Sequence, residues 1–347
     1  MDAEQQAWLE KGFEPALDPD QLIVDAHHHL WVDDPTYHLW DRPHGDYTLA
    51  DLRADTGAGH RVVQAVYIEC MSSYRADGPE ELRPVGETET VAATAAESEQ
   101  TAGDGVVIAG IVGFTDLRSP GVEAVLEAHV AAGGGRFRGV RHIVAYDPSP
   151  DVAKGYTKPY AGMLGEGAFR SGVAALGRAG LSFDAWLYHP QIPELTDLAR
   201  ALPDVQIVLN HLGGPLDVGP YAGRRTEVLD AWRASMADLA TCPNVALKLG
   251  GIGNPFLGPG WQHRPEPASS EELADLWGDE IRWAIGQFGP DRCMFESNFP
   301  VDRRSVGYNA LWNAFKRIVA GAGPDEKAAL FHDTAARVYR LPPLPPA

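Results

Sequence analysis

Eight short apolar runs, helix-patterned segments between them and long segments that each follow a run predict an α/β fold. Its class is a single closed (β/α)8 TIM barrel with long loops at the C-terminal face. The runs cover residues 22–26, 62–68, 106–112, 139–144, 181–187, 205–209, 245–249 and 292–295. Mostly apolar, β-branched and bounded by Gly, Pro or Asp, they suit strands buried on both faces of a parallel sheet. Helices are predicted at 86–101, rich in Ala and Glu, at 122–132, at 194–201 behind Pro193, and at 226–241, 270–288 and 308–320. A doubly wound open sheet shares this local grammar, and the count of eight favours closure. Segments 31–47, 147–160, 213–225 and 251–267 exceed ordinary connections of about 2 to 6 residues. Each follows a strand, which places them on the face where barrel enzymes build their sites.

The 347 residues are 44 % hydrophobic and 22 % charged, without a low-complexity tract, a repeat or a composition shift that would mark an internal boundary. One barrel over 21–340 is expected, with an N-terminal extension, 1–20, and a Pro-rich tail, 341–347, to which no catalytic part is assigned. The net charge of -19 argues against a nucleic-acid partner, which rewards clustered Lys and Arg. It does not choose a substrate, because a few buried arginines reverse a local field. Cys70, Cys242 and Cys293 are odd in number and far apart, so neither a disulfide framework nor a thiolate zinc site is indicated. No basic segment leads into an apolar run and no stretch approaches the ~18 apolar residues of a span. The sequence therefore reads as a cytoplasmic protein with no membrane engagement; a homo-oligomer is compatible with it.

Candidate chemistry begins at the end of the first run, Ile23-Val24-Asp25-Ala26-His27-His28-His29-Leu30-Trp31. Side chains alternate along a strand, so His27 and His29 share one face and His28 takes the other. Two imidazoles projecting together suit a metal or acid/base work. Six of the twelve histidines fall at strand ends: His27, His28, His29, His142, His189 and His211. The same ends carry Glu69, Arg141, Gln191, Lys248, Glu296, Asn298 and Asp302, which a barrel gathers at one mouth. Glu69 and Arg141 also read as a structural ion pair, and only one of Arg141 and His142 can face the barrel interior. His211 alone could simply cap a turn. An ammonium at Lys248 on an apolar strand calls for a partner or a substrate anion. His38, His44, His60, His129, His263 and His332 read as solvated or packed; Trp31, Tyr37 and Trp40 read as packing, with a lid as the alternative.

Four segments carry a resemblance: Asp25-Ala26-His27-His28-His29-Leu30-Trp31, Gly139-Val140-Arg141-His142, Asn210-His211-Leu212-Gly213-Gly214-Pro215 and Ser297-Asn298-Phe299-Pro300-Val301-Asp302. Together they resemble the amidohydrolase superfamily, in its amidohydrolase 2 branch of sugar-acid lactonases and 2-pyrone-4,6-dicarboxylate lactonase. The resemblance implies His27 and His29 as metal ligands, with His189 near the place of a third, and His211 as the group that orients or polarises substrate. Asn298 stands where many relatives carry an aspartate acting as ligand and base. An amide is a poor base and a weaker ligand, so Glu296 and Asp302 are the substitutes at hand. The fourth strand lacks the lysine that bridges two metals in binuclear relatives, which leaves one divalent ion such as Zn²⁺ or a metal-independent site.

The expected activity is hydrolysis of a small-molecule lactone, or a related ester or amide. Water attacks a carbonyl polarised by His27, His29 and His211, with Asp302 or Glu296 as base and Asn298 beside them. Arg141, His142, Lys248, Glu69 and Gln191 are the candidate substrate-binding residues, for a carboxylate or lactone. A metal-dependent nonoxidative decarboxylase of the same superfamily is the alternative, with Asn298 against it. An inactive barrel serving as a binding protein is third, since it has no use for so many buried charges.

Overall fold

Each predicted run becomes a strand in the computed structural model, which describes residues 3–32, 45–101, 103 and 105–344. The strands are β1 Leu22–His28, β2 Arg61–Ile68, β3 Val107–Gly113, β4 Phe137–Ile143, β5 Ser182–Trp186, β6 Ile207–Leu209, β7 Val245–Lys248 and β8 Cys293–Met294. They pair in sequence order, all parallel, as one eight-stranded sheet. The sheet meets itself beyond the short β8: Asn298 N donates to His27 O at 2.9 Å and His29 N to Phe299 O at 2.8 Å. Asp25 fastens that seam, its Oδ1 accepting from the amides of Ser297 at 2.9 Å and His27 at 3.2 Å and its Oδ2 from the Tyr308 hydroxyl at 3.1 Å. Burial pushes this carboxyl up to about 6, against the hydrogen bonds, which lower it.

The predicted helices are present as α3 Val85–Gln100, α4 Val122–Ala132, α6 Ile192–Ala201, α7 Arg225–Leu239, α8 Ser270–Phe288 and α9 Tyr308–Ile318. Four helical segments lie outside the expectation: α1 Ala3–Lys11, α2 Leu49–Thr56, α5 Gly167–Arg178 and the C-terminal run α10 Pro324–Ala328 with α11 Thr334–Val338. In α5 three glycines lower the helix signal. Gly172 is required by packing, since a Cβ there would lie 2.0 Å from the Leu117 carbonyl oxygen. Tyr37, Trp40, His38 and His44 lie outside the described residues. No helix among the described residues is long and apolar enough to cross a membrane.

Two apolar layers hold the fold. The larger fills the space between strands and helices; the smaller joins Val24, Ala26, Val66, Ile68, Val112, Val208, Ala246 and Met294. Residues from six strands meet in this way only inside the barrel. Ala335, Val338 and Tyr339 close the same cluster from below, with Leu341 and Leu344 packed on it. The tail therefore floors the barrel, and Pro342 O accepts from Gln64 Nε2 at 3.2 Å. The N-terminal extension is likewise docked: Lys316 Nζ donates to the carbonyls of Leu17 and Asp18, and Asn313 holds Glu14, Pro15 and Leu17.

Candidate active site

A bulge in β1 sets the site. The β1–β2 register shifts between Asp25 and His28. Ala26 lies in the interior cluster, yet the next residue, His27, also turns inward. Alternation then resumes: His29 joins His27, while His28 is buried on the outer face with its ring 5.9 Å from that of Tyr67. His29 Nδ1 lies 2.8 Å from Ile68 O, and a carbonyl only accepts, so Nδ1 carries the proton and Nε2 is a lone pair. That Nε2 stands 3.2 Å from His27 Nε2 and 3.3 Å from Asn298 Oδ1. Burial first, then the neighbouring cations, keep both rings neutral by holding their pKa values well below the usual histidine range.

Glu296 lies beneath the histidines, fully buried. Its Oε1 accepts from His211 Nδ1 at 2.7 Å and from the His211 amide at 3.0 Å, and its Oε2 is 2.8 Å from His27 Nδ1. The carboxylate places the His211 proton on Nδ1 and leaves its Nε2 free to accept, while His27 Nδ1 also faces the Lys248 ammonium, a pure donor, at 3.3 Å. Burial would raise the Glu296 pKa, but His211 and Lys248 outweigh it and the group is held below its ordinary value. The turn that delivers His211 is left-handed at four successive residues, with φ of 53° at His211 and Leu212, 69° at Gly213 and 59° at Gly214. Gly251 lets the next loop pass, because a Cβ there would lie 2.6 Å from the His211 ring.

Arg141 Nε bonds Glu69 Oε1 at 2.7 Å, and a second guanidinium nitrogen bonds the Glu69 carbonyl. The Tyr156 hydroxyl donates to Glu69 Oε2, and Arg141 Nη1 reaches to 3.4 Å from His27 Nε2. Asn298, with φ 54°, donates through Nδ2 to Asp302 Oδ1 at 2.7 Å, which turns its Oδ1 toward His29. Above these groups opens a narrow cleft with a cavity volume of about 30 Å³. His29, Arg141, His211 and Asn298 line it, with Tyr156, Trp186 and Asn254 among the residues that sequence reasoning missed. Trp186 had a readable signal as the last inward position of a strand; Tyr156 and Asn254 sit in long loops that carry no periodicity.

Five expectations are relocated. His142 is buried on the outer side of β4 between the rings of Phe114 and Phe169, as alternation from Arg141 requires. His189 falls in the turn after β5, its Nδ1 accepting from Leu216 N at 3.4 Å and its ring against Tyr221, so it stays apart from His27 and His29. Gln191 spends its amide on the backbone of Tyr146, Val144 and Tyr188. Lys248 has no exposed surface and pairs with Asp184 at 3.1 Å, so the partner it called for is a protein carboxylate and not a substrate anion. Asp302 is also fully buried, with Oδ2 accepting from Gly253 N at 2.8 Å and Oδ1 from Asn298; it sits behind Asn298, away from the cleft.

Among the described residues, His27, His211 and Glu296 form a buried group with ligand-type atoms within 4.8 Å of one another. Its Nδ1–carboxylate contacts are hydrogen-bond lengths, shorter than the roughly 3.3 Å that separates ligands around a tetrahedral ion. The Nε2 atoms of His27 and His29, 3.2 Å apart, have that spacing, and Asn298 Oδ1 lies 3.3 Å from His29 Nε2. A proton on His27 Nε2 would join the two rings, and a divalent ion in its place would find two imidazole nitrogens and an amide oxygen as ligands.

A parallel barrel with a buried histidine–carboxylate cluster at the C-terminal ends of its strands is the architecture of a barrel enzyme. The model of the Amidohydro_2 family, described as amidohydrolase, matches residues 24–341, and the chain belongs to that family. It is 36 % identical over 336 residues to the uncharacterized protein y4mH of Sinorhizobium fredii, covering 93 % of this chain and 99 % of that one. It is 27 % identical over 334 residues to an L-fucono-1,5-lactonase of Burkholderia multivorans, covering 92 % and 97 %. A crystal structure of an amidohydrolase from Burkholderia multivorans with bound Zn superposes with a TM-score of 0.71 at 25 % identity, covering 92 % of this chain and 100 % of that one.

Proposed function

We propose that the protein hydrolyses an uncharged lactone, with His211 and Glu296 as the working base. The carrying observation is that Glu296 fixes the proton on His211 Nδ1, so the Nε2 of His211 is a lone pair on a ring that lines the cleft. Water attacks the carbonyl carbon as His211 Nε2 takes its proton, and Glu296 stabilises the imidazolium that forms. Arg141 faces the oxyanion. The ring C–O bond then breaks and the departing oxygen takes the proton back from His211. His27, His29 and Asn298 would hold a divalent ion such as Zn²⁺, which supplies Lewis-acid polarisation of a carbonyl when bound.

The lactonase relatives support the choice of bond, and the charge balance supports the choice of substrate. Arg141 is already neutralised by Glu69, and Lys248 by Asp184. Among the described residues the cleft thus offers no spare cation for a carboxylated substrate, while Trp31, Ile143, Trp186 and Val301 give it apolar walls. A panel of aldonolactones, carboxylated lactones, esters, amides and aromatic carboxylates, read by proton release and by CO₂ release, tests this. Neutral lactones should be turned over with the highest kcat/KM; CO₂ release from an aromatic acid without lactone hydrolysis would replace the reading with the decarboxylase.

A further inference from the structure

The site does not end at the histidines. Below Glu296 a buried polar chain runs down to the floor. Lys248 Nζ lies 3.9 Å from Glu296 Oε2 and 3.3 Å from His27 Nδ1. It pairs with Asp184 Oδ2 at 3.1 Å, and that same oxygen accepts from the Tyr339 hydroxyl at 2.6 Å and from Asn210 Nδ2 at 3.3 Å. The Tyr339 ring also lies under the ammonium, 5.3 Å from Nζ to its centroid. Asp184, Lys248 and Tyr339 are all without exposed surface, and no step of the proposed hydrolysis uses them.

We infer that Tyr339, on the segment that floors the barrel, is a positioning residue for the histidine–glutamate cluster, acting through Asp184 and Lys248. One ammonium is shared between two carboxylates, Asp184 below and Glu296 above. The strength with which Asp184 holds it depends on how many other donors Asp184 satisfies. Removing the Tyr339 hydroxyl takes away the shortest of these, so Asp184 draws Lys248 down and away from Glu296 and His27. Charged partners in a low-dielectric interior respond strongly to such a change. The bland account is that Tyr339 only fills the floor; the ring would do that without its hydroxyl.

Tyr339→Phe keeps the ring and removes the hydroxyl, and Leu341→Ala loosens the same floor without touching the chain of charges. ¹⁵N spectra of histidine-labelled protein read the protonation and environment of the imidazoles without any substrate. Tyr339→Phe should move the His27 and His211 signals and Leu341→Ala should leave them in place. Asp184→Asn, which breaks the next link with Tyr339 intact, should move the same signals and serves if Tyr339→Phe does not fold. Spectra of Tyr339→Phe or Asp184→Asn that match those of Leu341→Ala overturn the inference. The kinetic arm rests on the lactonase reading: kcat should fall about 5- to 20-fold with KM within about twofold. If the wild type opens no lactone, that reading fails while the spectra still decide this one; an unchanged kcat in an active enzyme counts against it.

Discussion

The barrel interior has two halves built by the same strands under the same alternation. In the lower half the inward positions are mostly apolar, among them Val24, Ala26, Val66, Ile68, Val112, Val208, Ala246 and Met294. In the upper half they include His27, His29, Arg141, Lys248 and Glu296, ionisable and buried. β7 and β8 cross the boundary within two residues, from Ala246 to Lys248 and from Met294 to Glu296. Burial therefore does not decide which residues are apolar. The lower half is held chiefly by apolar contact, with the Tyr339–Asp184 and Gln64–Pro342 bonds at its floor, while the upper half is tolerable only because its charges are paired, Arg141 with Glu69 and Lys248 with Asp184.

The comparison breaks most visibly if the upper half is emptied. His27→Ala with His29→Ala should lower lactone kcat/KM by about 10⁴-fold or more and abolish binding of Zn²⁺ followed by calorimetry, while the circular dichroism spectrum is retained. Residual activity above a hundredth of wild type would move the chemistry to His211 alone. Next in size, Glu296→Gln removes the negative charge that faces the His211 Nδ1 proton and would stabilise its imidazolium, and steady-state kinetics should show kcat down about 10²- to 10³-fold.

A change in the lower half should do the reverse. Met294→Ala, in the fully buried interior layer, should cost about 2 to 4 kcal/mol in urea unfolding. Its kcat should stay within about twofold of wild type; a large loss of turnover would mean that the halves are mechanically coupled. The smallest effect concerns pH and the outer face of β4. Burial pushes His142 down to about 4, so an unfolded His142 takes a proton below about pH 6.5 that the folded one refuses. Unfolding is thereby favoured as pH falls, by up to about 1.4 kcal/mol per pH unit, down to the folded value near 4. His142→Phe removes that term, so the stability difference, variant minus wild type, should rise as pH is lowered from 7 to 5. A difference that stays flat would show that His142 titrates normally.

The eight strands were legible because strands covered on both faces are written as nearly continuous apolar runs, and the shared face of His27 and His29 followed from alternation alone. The companion of His27 was not legible. His189 is expected as a third ligand beside His27 and His29, but β5 ends at Trp186 and the turn beyond it carries His189 against Tyr221, while the left-handed turn after β6 swings His211 onto Glu296. Asp302 looked like a base because spacing shows proximity to Asn298 but not which of the two stands in front. Asp184 was readable and passed over: a carboxylate inside the run 181–187 is as costly as the lysine in 245–249, and the two neutralise each other. Tyr156 comes from a long loop, where no period tells which side chain returns to the barrel.

Seen as a process in time, the floor raises a different issue. A chain is made from its N-terminus, so Ala335, Val338 and Tyr339 emerge only after all eight strands have left the ribosome. Until then the lower ring of Val, Ile, Ala and Met side chains surrounds an uncapped lumen, and Asp184 lacks its shortest donor. The nascent barrel thus passes through a stage with its apolar interior open at one end, the kind of surface on which partly folded chains aggregate. Completion of the enzyme and release from that hazard are the same event.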